Sequence, residues 1–246
     1  MTTSLIPDSW ENFPDEFRSR IGDSIGRQRL MMAQGQLLFL LHKPPKAHEE
    51  QRTGHLFWKQ HDGRWLSNVF PNSPKPLFDH LQEYKTRLDE FEKMEEQATN
   101  ATTYFEVLEG ISPLYRATKH LHEVLQEARD QNPSERDIIL LRDEAYALER
   151  NAELLYTETK HALDFMIAKQ GETLANASHN MSVAAHRLNV LVAFFFPISI
   201  LTTLVGISYQ DVISGAFPLY GFITMVVLGL VLGVFITLLI TRKINK

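Results

Sequence analysis

Two long stretches without charge, at 188–206 and 219–240, limit the fold of this chain more than any other feature. The first reads LNVLVAFFFPISILTTLVG and the second LYGFITMVVLGLVLGVFITLLI. Each is close to the ~20 residues that cross about 30 Å of hydrocarbon as a helix. Both lie far from the N-terminus, so neither reads as a signal peptide. From Leu188 onward the only charged residues are Asp211, Arg242, Lys243 and Lys246. The preceding part holds the other 22 Lys/Arg and 29 Asp/Glu, a net charge of -7 against -5 for all 246 residues. An acidic, polar body is thus joined to an apolar tail. That division excludes a fully soluble protein and a many-pass transporter. An acidic body also argues against nucleic acid as a partner. The chain has no cysteine, which excludes disulfides, thiolate catalysis, Fe–S clusters and cysteine zinc sites.

The flanks set an expected orientation. His186 and Arg187 precede the first window, and Arg242, Lys243 and Lys246 follow the second. The linker 207–218 carries no Lys or Arg. The positive-inside bias then puts both termini in the cytoplasm and the linker outside, as a multi-pass protein of the inner membrane. Two spans cannot enclose a water-filled path, so conduction requires several copies. Gly229 and Gly233 form a GxxxG in the second window, a motif that permits close helix contact without naming the partner.

Stepping by three and four through the first window places Asn189, Val192, Phe196, Ser199, Thr203 and Gly206 on one face. Polar side chains in a membrane helix face protein or a water-filled cavity, so this row is expected to face a pore or an interface. The alternative is that the hydroxyls bond back to their own helix carbonyls.

Upstream, Pro133-Ser134-Glu135-Arg136-Asp137 reads as a helix start with Ser134 as N-cap. Leu141, Ala145, Leu148, Ala152, Leu155, Thr159, Ala162 and Met166 alternate steps of four and three, a heptad seam. Past Gly171 the seam becomes small and polar: Ala175, Ser178, Ser182, Ala185 and then Asn189. One helix from 134 to 206 would be roughly 110 Å long at 1.5 Å per residue, with Gly171 and Pro197 as expected bends. Before it, 76–98 reads as a charged helix with Leu77, Leu81, Tyr84, Leu88 and Phe91 on its apolar face. A second helix starts at Asn100 or Thr102 and reaches about Gln131, bent or divided by Gly110 and Pro113, so that the pair forms a hairpin packed on the stalk.

The first 75 residues look mixed. A short helix is expected over 15–21, and strands over 29–33, 36–42, 55–59 and 64–69, with turns at Gln34-Gly35 and His61-Asp62-Gly63. The expected organisation is therefore a small α/β cytoplasmic lobe (1–75), a helical hairpin (76–132), a stalk helix (133–187) and a two-helix transmembrane domain (188–246). The class is α+β, mainly helical, and membrane-bound.

No phosphate-binding glycine loop, nucleophile elbow, zinc-protease motif or dinucleotide fingerprint occurs, so no enzyme is expected. Of the histidines, His42, His48, His55 and His61 are spread over strands and loops, and His120 and His122 diverge on a helix. His179 and His186 share a face near the membrane and could form pH-sensing rings in an oligomer. Arg27, Arg29, Arg52, Lys59 and Arg64, beside Trp58 and Trp65, could bind a small anionic signalling ligand, although a solvated sheet face explains them as well.

A small α/β lobe, a helical hairpin, a very long helix entering the membrane, two C-terminal spans and a basic end at Arg242-Lys243 together resemble the CorA-type magnesium channel family. That family carries a Gly-Met-Asn signature nine residues after the proline of its first span. Here Pro197 plus nine is Gly206, followed by Ile207 and Ser208. The glycine matches and the other two residues depart. The resemblance implies a homopentamer whose first span lines a central pore, with Ser199, Thr203 and Ser208 along it and Ile207, Tyr209 and Asp211 at its outer mouth. An asparagine ring can hydrogen-bond the water shell of Mg²⁺, an ion that sheds its waters reluctantly. A serine ring is shorter and leaves a wider mouth. Phe194, Phe195 and Phe196 could form a gate that closes by dewetting. The expected function is a CorA-like homo-oligomeric channel in a lipid bilayer, passing Mg²⁺ or another divalent cation. The alternative is a ligand-gated membrane effector of the antiviral-defence type, which opens a nonselective pore on binding a nucleotide-derived signal.

Overall fold

The computed structural model describes residues 6–7, 9–22, 25–47, 49, 52–212 and 219–244; the side chains of 204–212, 219–222, 225 and 239–244 lie outside the description. The elements in order are α1 (Asp15–Arg18), β1 (Arg29–Ala33), β2 (Gln36–His42), β3 (Gly54–Lys59), β4 (Trp65–Ser67), α2 (Pro76–Glu96), α3 (Ala101–Gln131), α4 (Arg136–Val212) and α5 (Leu219–Ile244). The chain divides into two compact units, Met1–Ala168 and Lys169–Lys246.

In the first unit the four strands form one antiparallel sheet in the order β1-β2-β3-β4. The β1–β2 link is a two-residue turn with positive φ at both Gln34 (52°) and Gly35 (71°), the geometry that matches strand twist. The unbroken apolar run of β2 has a simple cause: both faces of the sheet are covered. Leu37, Phe39 and Leu41 join Leu30, Phe57 and the helices in one core. Leu38 and Leu40 face the other way, with Leu56 and Trp58, into a second core capped by Trp10, Phe13 and Phe17. Trp58 packs edge-on to Phe13 at 5.1 Å and donates its indole N–H to Gln36 at 2.8 Å.

β4 is shorter than the predicted 64–69. Side chains take over where the ladder stops: Asn68 Oδ1 accepts from Leu56 N of β3 at 2.8 Å, and Ser67 Oγ accepts from Val69 N and Phe70 N just past β4. β3 begins one residue earlier than expected, at Gly54. Only a glycine fits there, because a Cβ would fall on the Ile25 side chain. The predicted 15–21 helix closes after one turn at Arg18.

α3 starts at a full capping box in which Asn100 and Thr103 satisfy each other's backbone N–H. It then runs undivided through Gly110 and Pro113, so neither residue splits it into two helices. Gly110 has a packing role: a Cβ there would lie 2.3 Å from the Phe91 ring of α2. The start of α4 also differs from expectation. The helix begins at Arg136, and Pro133 and Ser134 lie in a turn closed by Glu135 N donating to Asn132 O, so Ser134 is one position too early to cap. The heptad seam holds from Leu141 to Thr159, with Ile138, Leu141, Ala145, Leu148, Ala152 and Leu155 in the main core and Thr159 fully buried; its last two expected positions, Ala162 and Met166, are only half-buried, and Leu163 is buried instead.

In the second unit, α4 continues through Gly171 and Pro197 to Val212, and neither residue ends it. Every residue from Lys169 to Ser182 is exposed. Among the described residues one helix is long and apolar enough, by length and composition, to cross a membrane; it is α4, and none of its apolar window is buried within the chain. α5, 26 residues long, packs against it.

Candidate functional site

Asn189, Val192, Phe196, Ser199 and Thr203 are all exposed, whereas Val190, Ala193, Phe194, Pro197, Ile198 and Leu201 are half-buried. At 100° per residue the two sets lie on opposite sides of α4. The half-buried set faces α5. A Cβ on Gly229 would meet Leu201 and Ile198 at 3.2–3.5 Å, and one on Gly233 would lie 2.7 Å from the Phe194 carbonyl oxygen. The GxxxG motif, open as to partner in the sequence, thus serves the contact between the chain's own two apolar helices.

The hydroxyls on the exposed face follow the local pattern. Ser199 donates to Phe195 O at 3.0 Å and Thr203 to Ser199 O at 2.8 Å, and Thr202 bonds Ile198 O in the same way. Their protons are therefore occupied within the helix. Gly206, Ile207, Ser208, Tyr209 and Asp211 lie in the last turns of α4, and their side chains fall outside the described residues.

The five lobe cations do not converge. Arg27 reaches Glu123 at 3.3 Å. Arg29 donates to Ile25 O at 2.7 Å and to Arg20 O at 3.4 Å. Lys59 pairs with Glu135 and lies over the Trp65 ring, and Arg64 pairs with Asp62 at 2.6 Å. Arg52 lines a cleft of about 350 Å³, together with Lys46, Arg116, Glu49 and Glu109. His120 and His122 diverge as expected, to Glu123 at 3.0 Å and to Glu149 at 2.6 Å.

One cluster escaped the sequence reading. His55 on β3 and His80 on α2 place their Nδ1 atoms 3.1 Å apart. Glu83 Oε2, one helical turn beyond His80, lies 3.8 Å from the first and 3.7 Å from the second. His80 is fully buried and His55 nearly so. Burial, with the His80 ring adding, lowers His55 to about 4. Burial also lowers His80. The His80 ring beside it, with His55, holds the Glu83 carboxylate below the usual range. Two neutral imidazoles and one ionised carboxylate therefore face one point. The available signal was His80 itself, a polar residue on the Leu77/Leu81/Tyr84 face of α2 with an acid three residues on. Its partner His55 is distant in sequence and becomes visible only when helix and sheet are packed.

No family model matches the chain, and no curated protein matches it in sequence. Among solved structures it is similar to the CorA magnesium transporter from Methanocaldococcus jannaschii, at 15% identity over 93% of this chain and 86% of that chain, with a TM-score of 0.35. It is also similar to the full-length CmaX protein, at 15% identity over 97% of this chain and 83% of that chain, with a TM-score of 0.48.

Proposed function

We propose that the chain is a CorA-like membrane channel: a homo-oligomer, pentameric by that resemblance, that passes Mg²⁺ or another divalent cation through a pore lined by Asn189, Val192, Phe196, Ser199 and Thr203 of α4. Gly206 and Ser208 continue the row, and Ile207, Tyr209 and Asp211 form its outer mouth. The observation that carries this reading is the division of α4 into two faces. One is closed by α5 through Gly229 and Gly233. The other bears the polar side chains and is left uncovered. An apolar helical window that is unburied within its own chain needs lipid or other helices around it, and polar atoms at that depth need protein or water. Copies arranged around an axis meet both requirements: α5 faces lipid, and the polar row faces a shared, hydrated centre. The stretch 169–182 supports the same assembly. Every residue in it is exposed, with Leu174 and Met181 seven residues apart at 71% and 73%, so it lacks within one chain the packing that sustains most helices.

The test uses the cysteine-free chain as its own background. Ser199→Cys and Thr203→Cys, reconstituted in liposomes, are expected to react with a membrane-impermeant thiol reagent and to lose cation flux on modification. Ile198→Cys and Leu201→Cys, against α5, are expected to be protected. Complete protection of the first pair in a conducting channel would remove the pore assignment, and no flux in any condition would leave an anchor.

The ligand-gated effector is favoured by one observation, the cleft where Arg52, Lys46 and Arg116 place three cations beside two carboxylates. Mg²⁺ flux without added ligand counts against it. Flux that appears only with a small polyanion, and that Arg52→Ala with Arg116→Ala abolishes, counts for it.

A further inference from the structure

We propose that His55, His80 and Glu83 form a transition-metal site in the first unit that takes Zn²⁺ or a similar borderline divalent ion, separate from any ion the membrane helices pass.

The donor atoms are spaced for it. The triangle with sides 3.1, 3.7 and 3.8 Å has a circumradius of about 2.1 Å, so one point lies at that distance from all three atoms. This is the bond length of zinc to histidine nitrogen and carboxylate oxygen. The set of two imidazoles and one carboxylate suits zinc, cobalt or nickel, whereas Mg²⁺ takes oxygen ligands and keeps its waters. A three-ligand protein set leaves a coordination position for water, and the Glu83 side chain, 34% exposed, provides the side open to solvent.

A plain hydrogen bond between the two rings is a poorer account of the same atoms. It leaves two buried atoms, His80 Nε2 and Glu83 Oε2, with no hydrogen-bond partner, and a cation beside Nδ1 answers the second. That oxygen lies beyond hydrogen-bond reach of both rings. A cation at the common point engages all three acceptors at once. The ring orientations are held by packing: His55 lies edge-on to Phe70 at 6.3 Å, and His80 contacts Phe57 at 5.0 Å and Tyr84 at 5.3 Å. Sites that bind a metal tightly are locked by their surroundings in this way. The elements are also fixed to each other, since the Tyr84 hydroxyl donates to His42 O at 2.9 Å and so joins α2 to the end of β2.

The test is a titration of the full-length protein, purified in detergent and stripped with a chelator, with Co²⁺ as the probe. With no cysteine in the chain, visible absorption reports nitrogen and oxygen ligation alone. The expected result is one Co²⁺ per chain with the intense bands of low coordination number, displaced by Zn²⁺. Glu83→Gln and His55→Gln are each expected to weaken binding at least about tenfold, whereas His61→Gln leaves it unchanged. Zn²⁺ is expected to raise the melting temperature of the wild type but not of Glu83→Gln. Circular dichroism checks that the variants fold. Should His55→Gln unfold, Glu83→Gln, at a half-exposed position, decides the matter. Absence of stoichiometric Co²⁺ uptake overturns the proposal. Uptake that Glu83→Gln leaves intact also overturns it and assigns the metal to other histidines. Neither result depends on cation flux, so the site and the channel stand or fall separately.

Discussion

Single residues set the closest approaches in this chain, and their substitutions separate packing from function. Gly229 and Gly233 look equivalent in sequence but differ in what a methyl group would meet. At Gly229 the nearest atom is Leu201 Cδ1 at 3.2 Å, the end of a flexible side chain; at Gly233 it is the Phe194 backbone carbonyl oxygen at 2.7 Å. Gly233→Ala is therefore expected to push α5 away from α4 and to lower thermal stability in detergent, in the range of about 1–3 kcal/mol that overpacking costs. Gly229→Ala should be tolerated within about 1 kcal/mol, since a rotamer change relieves it. Equal melting temperatures for the two variants would contradict the assigned contact. Sequence pattern could locate the motif but not its partner, because GxxxG states that a backbone comes close without stating whose. The same limit hid the metal cluster. His55 reads as a strand residue and His80 as a polar interruption of a helix face, and their meeting depends on how α2 lies on the sheet.

At the scale of elements, local chemistry was legible wherever the chain decided its own backbone. The Gln34-Gly35 turn, the Asn100 cap and the seam from Leu141 to Leu155 follow from positive φ, side-chain capping and heptad spacing. The failures arise where tertiary contact overrides the local signal. Gly110 and Pro113 are helix breakers by propensity, yet α3 runs through both, with the Phe91 ring packed where a Cβ at 110 would stand. Ser134 is a good cap by type, but it lies in the turn that Glu135 N closes on Asn132 O, and the helix starts after Glu135, whose carbonyl takes the first helical bond, from Ile139 N. Two substitutions measure these elements. Asn100→Ala is expected to cost about 1 kcal/mol, the usual value of an N-cap, because it leaves Thr103 N without its acceptor. Leu148→Ala, at 3% exposure in the seam, should cost about 2–5 kcal/mol. Urea denaturation of the two variants checks the order. A larger loss at Asn100 than at Leu148 would mean that the seam contributes little to this core.

For the whole molecule, the division of charge in the sequence matches a division of burial. The buried apolar residues run from Ile6 to Leu163, within the acidic body. Beyond Ala168 the described side chains are mostly exposed, and close contact centres on two glycines. The first unit thus owns both hydrophobic cores, and the second has an apolar surface to satisfy from outside. A fragment of residues 1–168 is accordingly expected to be soluble without detergent and to unfold in one cooperative transition, with a stability in the ordinary range of about 5–15 kcal/mol for a domain of this size. It should also be monomeric, because the surfaces assigned to assembly lie after residue 168, whereas the full chain in detergent should be a closed oligomer. Analytical ultracentrifugation of both forms, with a thermal melt of the fragment, checks this. An insoluble or non-cooperative fragment would show that the lobe depends on the membrane helices. A fragment with the same subunit number as the full chain would move the assembly contacts into the lobe, and α4 would then follow the symmetry rather than create it.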